Sequence, residues 1–259
     1  MNASGQQLRI VLAAEGVPCD RLRTVAGLAA QPIYAVPIAR DNALALWERV
    51  RGPAEVIGYW PVISSARDEE LLLTENIEAS DQDPAAVIAA GLDLDPMQWL
   101  QDHTDADVAR ATAQGYSGGV AGPESAWPDD TAPSDDFYLL SQTAAKYDPG
   151  MRLVLVPARA SWQVPAHLAF GGWNECPPDE VHVALLHRWH QRYGAELVVM
   201  TGSILELRVA QPPRTRSDAL ALAQEQFTYC PDIVTQGTET VGRLAASLLN
   251  GHTWFFWWD

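Results

Sequence analysis

Lysine is almost missing from this chain, with Lys146 alone against 16 arginines, and cysteine is scarce, with only Cys19, Cys176 and Cys230. An odd and sparse thiol set argues against a disulfide framework and agrees with a reducing compartment. No apolar run approaches the roughly 18 residues that cross a bilayer, and the first residues lack the basic start and cleavage site of a secretory signal. A cytoplasmic protein with no membrane association is therefore expected. The Gly-rich phosphate loop, the Gly-x-Ser-x-Gly elbow, His-Glu-x-x-His and the dinucleotide fingerprint are also missing, so the commonest enzyme classes lose support and no cofactor is expected.

Basic charge is nearly absent from one quarter of the chain. Residues 68–136 hold 17 of the 33 carboxylates and one basic residue, Arg110, giving −17 + 1 = −16, which is the net charge of the whole chain. The remainder, with 16 carboxylates and 16 basic residues, is formally neutral. Nucleic-acid binding through a basic face is excluded. A focused negative field raises on-rates for cations, so a basic protein partner is expected to meet Asp68, Glu69, Glu70, Asp81, Asp83, Asp93, Asp95, Asp129, Asp130, Asp135 and Asp136. The plainer alternative is a solvated, solubility-giving insertion.

What is present is enough for a core: 259 residues, 47% of them apolar. Leu8–Ala14 fits either a strand or a helical turn. Ile33–Val36 reads as a buried strand, Asp41 as the cap of a helix stopped by Gly52-Pro53, and Val56–Ile63 as a second strand parallel to the first. Asp83-Pro84 and Asp95-Pro96 are helix starts, with cap and N1 proline in order. The Gly-, Ser-, Pro- and Asp-rich run 115–136 is a linker or long loop, which separates an N-terminal α/β region with its acidic helical segment (1–114) from a C-terminal α/β domain (137–259). Phe137–Tyr147 is expected to be helical. Arg152–Pro157 is a buried strand and Trp162–Leu168 an extended piece. Pro177-Pro178-Asp179-Glu180 opens a helix to about Tyr193, Glu196–Met200 and Ile204–Ala210 form a hairpin, and Thr215 with Asp218 caps another helix. Glu239–Leu249 is helical, and the terminal Trp254-Phe255-Phe256-Trp257-Trp258 is a core strand. The fold class is α/β (mixed α+β): a central, mostly buried sheet flanked by helices, with an acidic helical and loop insertion.

Two short echoes, Asn174-Glu175-Cys176-Pro177 and Tyr229-Cys230-Pro231-Asp232, are the places where thiol, amide and carboxylate recur. Cys176 leads into a helix whose dipole favours thiolate, so it is the better nucleophile of the two; Cys230 lies past a helix end, where the dipole disfavours it. The alternative is that both are small buried apolar groups. His187 lies about 15 Å along the axis from Cys176, too far to serve it as a base. His187-x-x-His190 and the Cys-Pro pairs lack zinc-specific spacing, so no metal is expected. Asp232 either caps the next turn or serves a pocket with Gln236. Trp173 and Asn174 follow Gly171-Gly172 and present an aromatic and an amide. Glu196 and Glu206, in strands, need Arg188 or Arg208 as partners. The candidate pocket comprises Trp173, Asn174, Cys176, Arg188, Glu196, Tyr229, Cys230, Asp232 and Gln236.

The run Gly171-Gly172-Trp173-Asn174-Glu175-Cys176-Pro177, then Arg188-Trp189, Tyr193-Gly194-Ala195-Glu196, Tyr229-Cys230-Pro231-Asp232-Ile233-Val234, Gln236-Gly237 and the aromatic end resemble the bacterial family named domain of unknown function 4253. The resemblance covers about the last 110 residues. It implies that both Cys-Pro motifs belong to one domain, and it brings no activity or catalytic residue. The expectation is a non-enzymatic binding protein, immunity-like or regulatory, using its acidic surface; the alternative is an enzyme or small-molecule binder with a pocket at the two motifs.

Overall fold

The apolar run around Leu153–Val156 becomes the middle of a sheet, in a computed structural model that describes residues 3–28, 31–67, 80–113, 127–128, 131–146 and 150–259. Seven strands, β1 (Arg23–Leu28), β2 (Gln31–Ile38), β3 (Trp60–Ser65), β4 (Met151–Val156), β5 (Ala195–Met200), β6 (Ile204–Val209) and β7 (Thr253–Trp257), lie in the order β1-β2-β4-β3-β5-β6-β7. Every pairing is antiparallel except β3 with β5, which meet in parallel at Ile63 and Val199. In β3 every residue is buried, and in β4 only Arg152 is half-buried, so both faces of the sheet centre are covered. One α/β sheet thus draws strands from both sides of residues 115–136.

Several local expectations change. Leu8–Ala14 lies in a helix, Ala3–Ala14. Gly52-Pro53 does not stop the second helix, which runs Ala43–Val56 with Pro53 inside it, at the cost of the bond that its missing N–H would make to the Arg49 carbonyl. β2 and β3 do run in the same direction, but β4 lies between them and is antiparallel to both. Trp162–Leu168 is not extended: it forms a 3₁₀ turn, Ser161–Gln163, and a short helix, Val164–His167. Of the stretch Phe137–Tyr147, the described residues 137–146 are helical only at Gln142–Ala145. The 195–209 hairpin forms as expected, as does the helix Arg216–Tyr229, in which the Thr215 side chain accepts from the Asp218 amide.

The acidic helices are docked on the rest of the protein. Asp83 caps the helix Pro84–Asp93 by accepting from the Ala85 amide at 3.1 Å, and Asp95 accepts from the amides of Met97 and Gln98 in the helix Pro96–Ala113. Gly91 lets the first of them lie against the helix Asp179–Tyr193: a Cβ there would stand 2.6 Å from the Val183 side chain and 2.7 Å from the Glu180 carbonyl. Thr104 meets Thr228 of the helix Arg216–Tyr229 at 2.9 Å.

Partners of the strand carboxylates also differ from expectation. Glu196 pairs with Arg51, whose guanidinium also faces the Trp47 and Trp60 rings, while Arg208 pairs with Glu48 and Arg188 with Glu225. Glu206 has no arginine partner among the described residues. Its carboxylate is buried and accepts from the backbone amides of Tyr138 and Leu139 at 2.5 and 2.9 Å, because the chain leaving the acidic segment folds back over β6. Burial pushes its pKa up to about 7 from an ordinary 4.5. Between those two values the folded chain holds a proton that the unfolded chain has released, so this group's contribution to stability falls as pH rises from about 4.5 to 7 and is level above. Glu206→Gln is expected to flatten that slope. At pH 8 it is expected to cost about 1–3 kcal/mol, since one backbone amide then faces an amide donor; urea denaturation at pH 5 and pH 8 measures both effects.

Candidate functional site

The two Cys-Pro motifs meet, and a third residue joins them. Pro178 precedes the helix Asp179–Tyr193, whose buried stripe is His182, Leu185, Leu186, Trp189 and Tyr193. His182 is therefore carried into the core on the face that packs against the helix Arg216–Tyr229 and β7. Its Nε2 lies 3.4 Å from Cys176 Sγ and its Nδ1 lies 2.5 Å from the Tyr229 hydroxyl. Cys230, the next residue, donates its thiol to the Trp257 carbonyl at 3.0 Å.

Aromatic rings close the site. His182 packs against Phe170 at 5.0 Å, Tyr229 at 5.3 Å and Trp258 at 5.4 Å, the last two edge to face. The exposure of Cys176 is 4%, of His182 0% and of Trp258 1%, and the Trp258 indole N–H has no acceptor among the described residues. Buried donors of this kind rarely go unpaired in a folded protein.

This enclosure sets the protonation states. Burial pushes the Cys176 thiol far up and Cys230 up to about 12, which overrides the dipole effect anticipated for Cys176. Burial likewise lowers the His182 pKa to about 3 and raises Tyr229 well above its ordinary range. At neutral pH all four groups are uncharged. The neutral imidazole has two arrangements. With the proton on Nε2 it donates toward the Pro177 carbonyl and accepts from Tyr229; with the proton on Nδ1 it donates to Tyr229 and leaves Nε2 open to the thiol. At the helix start, burial also lifts the Asp179 pKa to about 7.

A tight loop covers the thiol. Ala169, Gly171, Gly172 and Asn174 all have positive φ, two of them without the freedom of glycine. The Gly172 amide bonds to the carbonyls of Cys176 and Pro177, and the Cys176 amide to that of Trp173. Trp173 is half-buried against Phe170 at 4.9 Å. Asn174 donates to the carbonyl of the terminal Asp259 at 2.6 Å, and the Asp259 amide in turn donates to Asp232, which also accepts from Gln236. The turn after Cys230 is a π-helix, Ile233–Thr238, an irregularity frequent at functional sites.

Of the candidate residues, Trp173, Asn174, Cys176, Tyr229, Cys230, Asp232 and Gln236 thus form one connected patch around the C-terminal strand. Arg188 and Glu196 do not join it, being engaged with Glu225 and Arg51. His187 packs at a tilt against Trp162 and His190 bonds to the Ala195 carbonyl. Among the described residues no three His, Cys, Asp or Glu side chains are grouped to hold a metal. Sequence reasoning missed His182, Phe170 and Trp258. The signal was available in His182, which is the polar member of the helix's apolar stripe.

Of the acidic candidates, Asp81, Asp83, Asp93 and Asp95 are exposed on or beside the two short helices. Asp135 accepts from the His252 amide and the Asp136 carbonyl from Thr253, so this pair fastens the chain to β7. Asp68, Glu69, Glu70, Asp129 and Asp130 lie outside the described residues.

Residues 152–259 match the family described as Domain of unknown function (DUF4253). The match begins in β4 and takes in both Cys-Pro motifs, His182 and the aromatic end. No curated protein and no solved structure matches the chain.

Proposed function

We propose that this chain is a binding protein, of an immunity or regulatory kind, that meets a basic protein partner in the cytoplasm through the acidic helices within residues 80–105. One observation carries the reading. Residues 68–136 carry a charge equal to the whole chain's net −16, and within them Asp81 and Asp93 are exposed without a cation among the described residues. Unneutralised like charges at a surface cost self-repulsion and attract cations. Leu92 and Met97, both well exposed beside Asp93 and Asp95, add apolar contact area.

Pull-down from the native host at low and high salt tests this. A basic partner is expected at low salt, with recovery falling as salt shortens the range of the field to about 3 Å at 1 M. Asp81→Lys combined with Asp93→Lys leaves both helix caps intact and is expected to weaken capture about tenfold or more. Absence of any basic partner at either salt concentration overturns the proposal.

A second reading, an enzyme or small-molecule binder at the Cys-Pro motifs, is favoured by the convergence of Cys176, Tyr229 and Cys230 around His182.

A further inference from the structure

Cys176, His182 and Tyr229 stand in the order nucleophile, base and orienter, within hydrogen-bond reach of one another. Beside them runs one short stretch, Gly171–Glu175, which turns on two glycines, lies so close that a Cβ on Gly171 would stand 2.8 Å from His182 Nε2, and is pinned at its far side by the bond from Asn174 to Asp259. Strained backbone of this sort persists where the surroundings over-determine it, and it clusters at clamps and active sites. Near it the Trp258 N–H, buried against His182 and Tyr229, has no acceptor among the described residues.

We propose that Cys176 is a gated nucleophile, which attacks the carbonyl carbon of a small uncharged ester or thioester once the Gly171–Glu175 loop lifts. This rests on the second reading above and is independent of the acidic face. With the loop closed, the Pro177 carbonyl favours the proton on Nε2 and the thiol is at rest. With the loop lifted, water relieves the desolvation that raises the thiol and lowers the imidazole, the proton sits on Nδ1 facing Tyr229, and Nε2 takes the thiol proton as the sulfur–carbon bond forms. The ester carbon–oxygen bond then breaks, and the alcohol leaves with the proton returned from Nε2. Water hydrolyses the acyl-sulfur bond, releasing the acid and restoring the thiol. Phe170, Trp173 and Trp258 provide an aromatic, uncharged surround, which selects against ionic substrates.

The full-length chain carrying Cys19→Ser, which removes the most exposed thiol, is treated with iodoacetamide and, separately, with p-nitrophenyl acetate. Mass spectrometry is expected to find Cys176 alkylated far faster than the fully buried Cys230, at a rate independent of low denaturant, as local opening requires. One p-nitrophenolate per chain is expected in a burst. Asn174→Ala releases the pinned end and is expected to speed both reactions about fivefold, the worth of one hydrogen bond. His182→Gln is expected to slow the burst about 100-fold; should it not fold, the Asn174→Ala and denaturant results still decide. Alkylation of Cys176 and Cys230 at one rate, rising with denaturant as global unfolding does, overturns both the proposal and the second reading. Selective alkylation without a burst overturns the nucleophile and leaves the small-molecule reading standing.

Discussion

A fragment limited to residues 152–259 will not fold cooperatively, although it is the segment that matches a family. β4 opens that segment, and its two neighbours in the sheet, β2 and β3, both lie outside it. Leu153, Val154, Leu155 and Val156 are fully buried in the whole chain. Stripped of their flanking strands they lose burial worth about 1.5–3 kcal/mol each, and the total rivals the roughly 5–15 kcal/mol that keeps a domain folded. The fragment is expected to bind a hydrophobic dye and to show a broad thermal transition, whereas the full chain melts sharply. A sharp two-state transition from the fragment would show that β4 finds other cover.

Gly171→Ala will be far more damaging than Gly172→Ala, its immediate neighbour. A Cβ on Gly171, at φ +117°, would stand 2.0 Å from the Pro177 carbonyl oxygen and 2.8 Å from His182 Nε2. The oxygen is backbone at the start of a helix, so it does not yield cheaply. At Gly172, φ is +81° and a Cβ would meet nothing within 4 Å, leaving only conformational strain. Strain alone is about 1–3 kcal/mol, and the overlap at Gly171 is expected to raise its cost to about 4–5 kcal/mol, the range reserved for severe core defects. Urea denaturation of both variants checks the contrast, and equal losses would mean that the loop does not press on His182 in solution.

The helix starts at Asp83 and Asp95, the hairpin and the aromatic strand were legible because each rests on chemistry local in sequence: a cap beside its amide, a turn between paired strands. Non-local choices were not. Nothing near Arg152 says that β4 inserts between β2 and β3, and Glu206 gives no hint that its partners are amides 67 and 68 residues away. Cys176 and Tyr229 were readable as candidates by residue type. Their bridge was not, because His182 was hidden inside an apolar stripe whose other members are ordinary core. Burial is what sets the Cys176 thiol, and it pushes the pKa up, a consequence of enclosure that the helix start alone did not reveal.

The insertion of β4 has a bearing on how the chain is made. β2 and β3 leave the ribosome well before the strand that joins them, with the whole acidic segment still to come. At about 5–20 residues per second that interval lasts several seconds, during which two apolar strands present unpaired edges to the cell. An acidic stretch translated in that interval confers a repulsive charge on the nascent chain when its open sheet is most prone to pair with another copy.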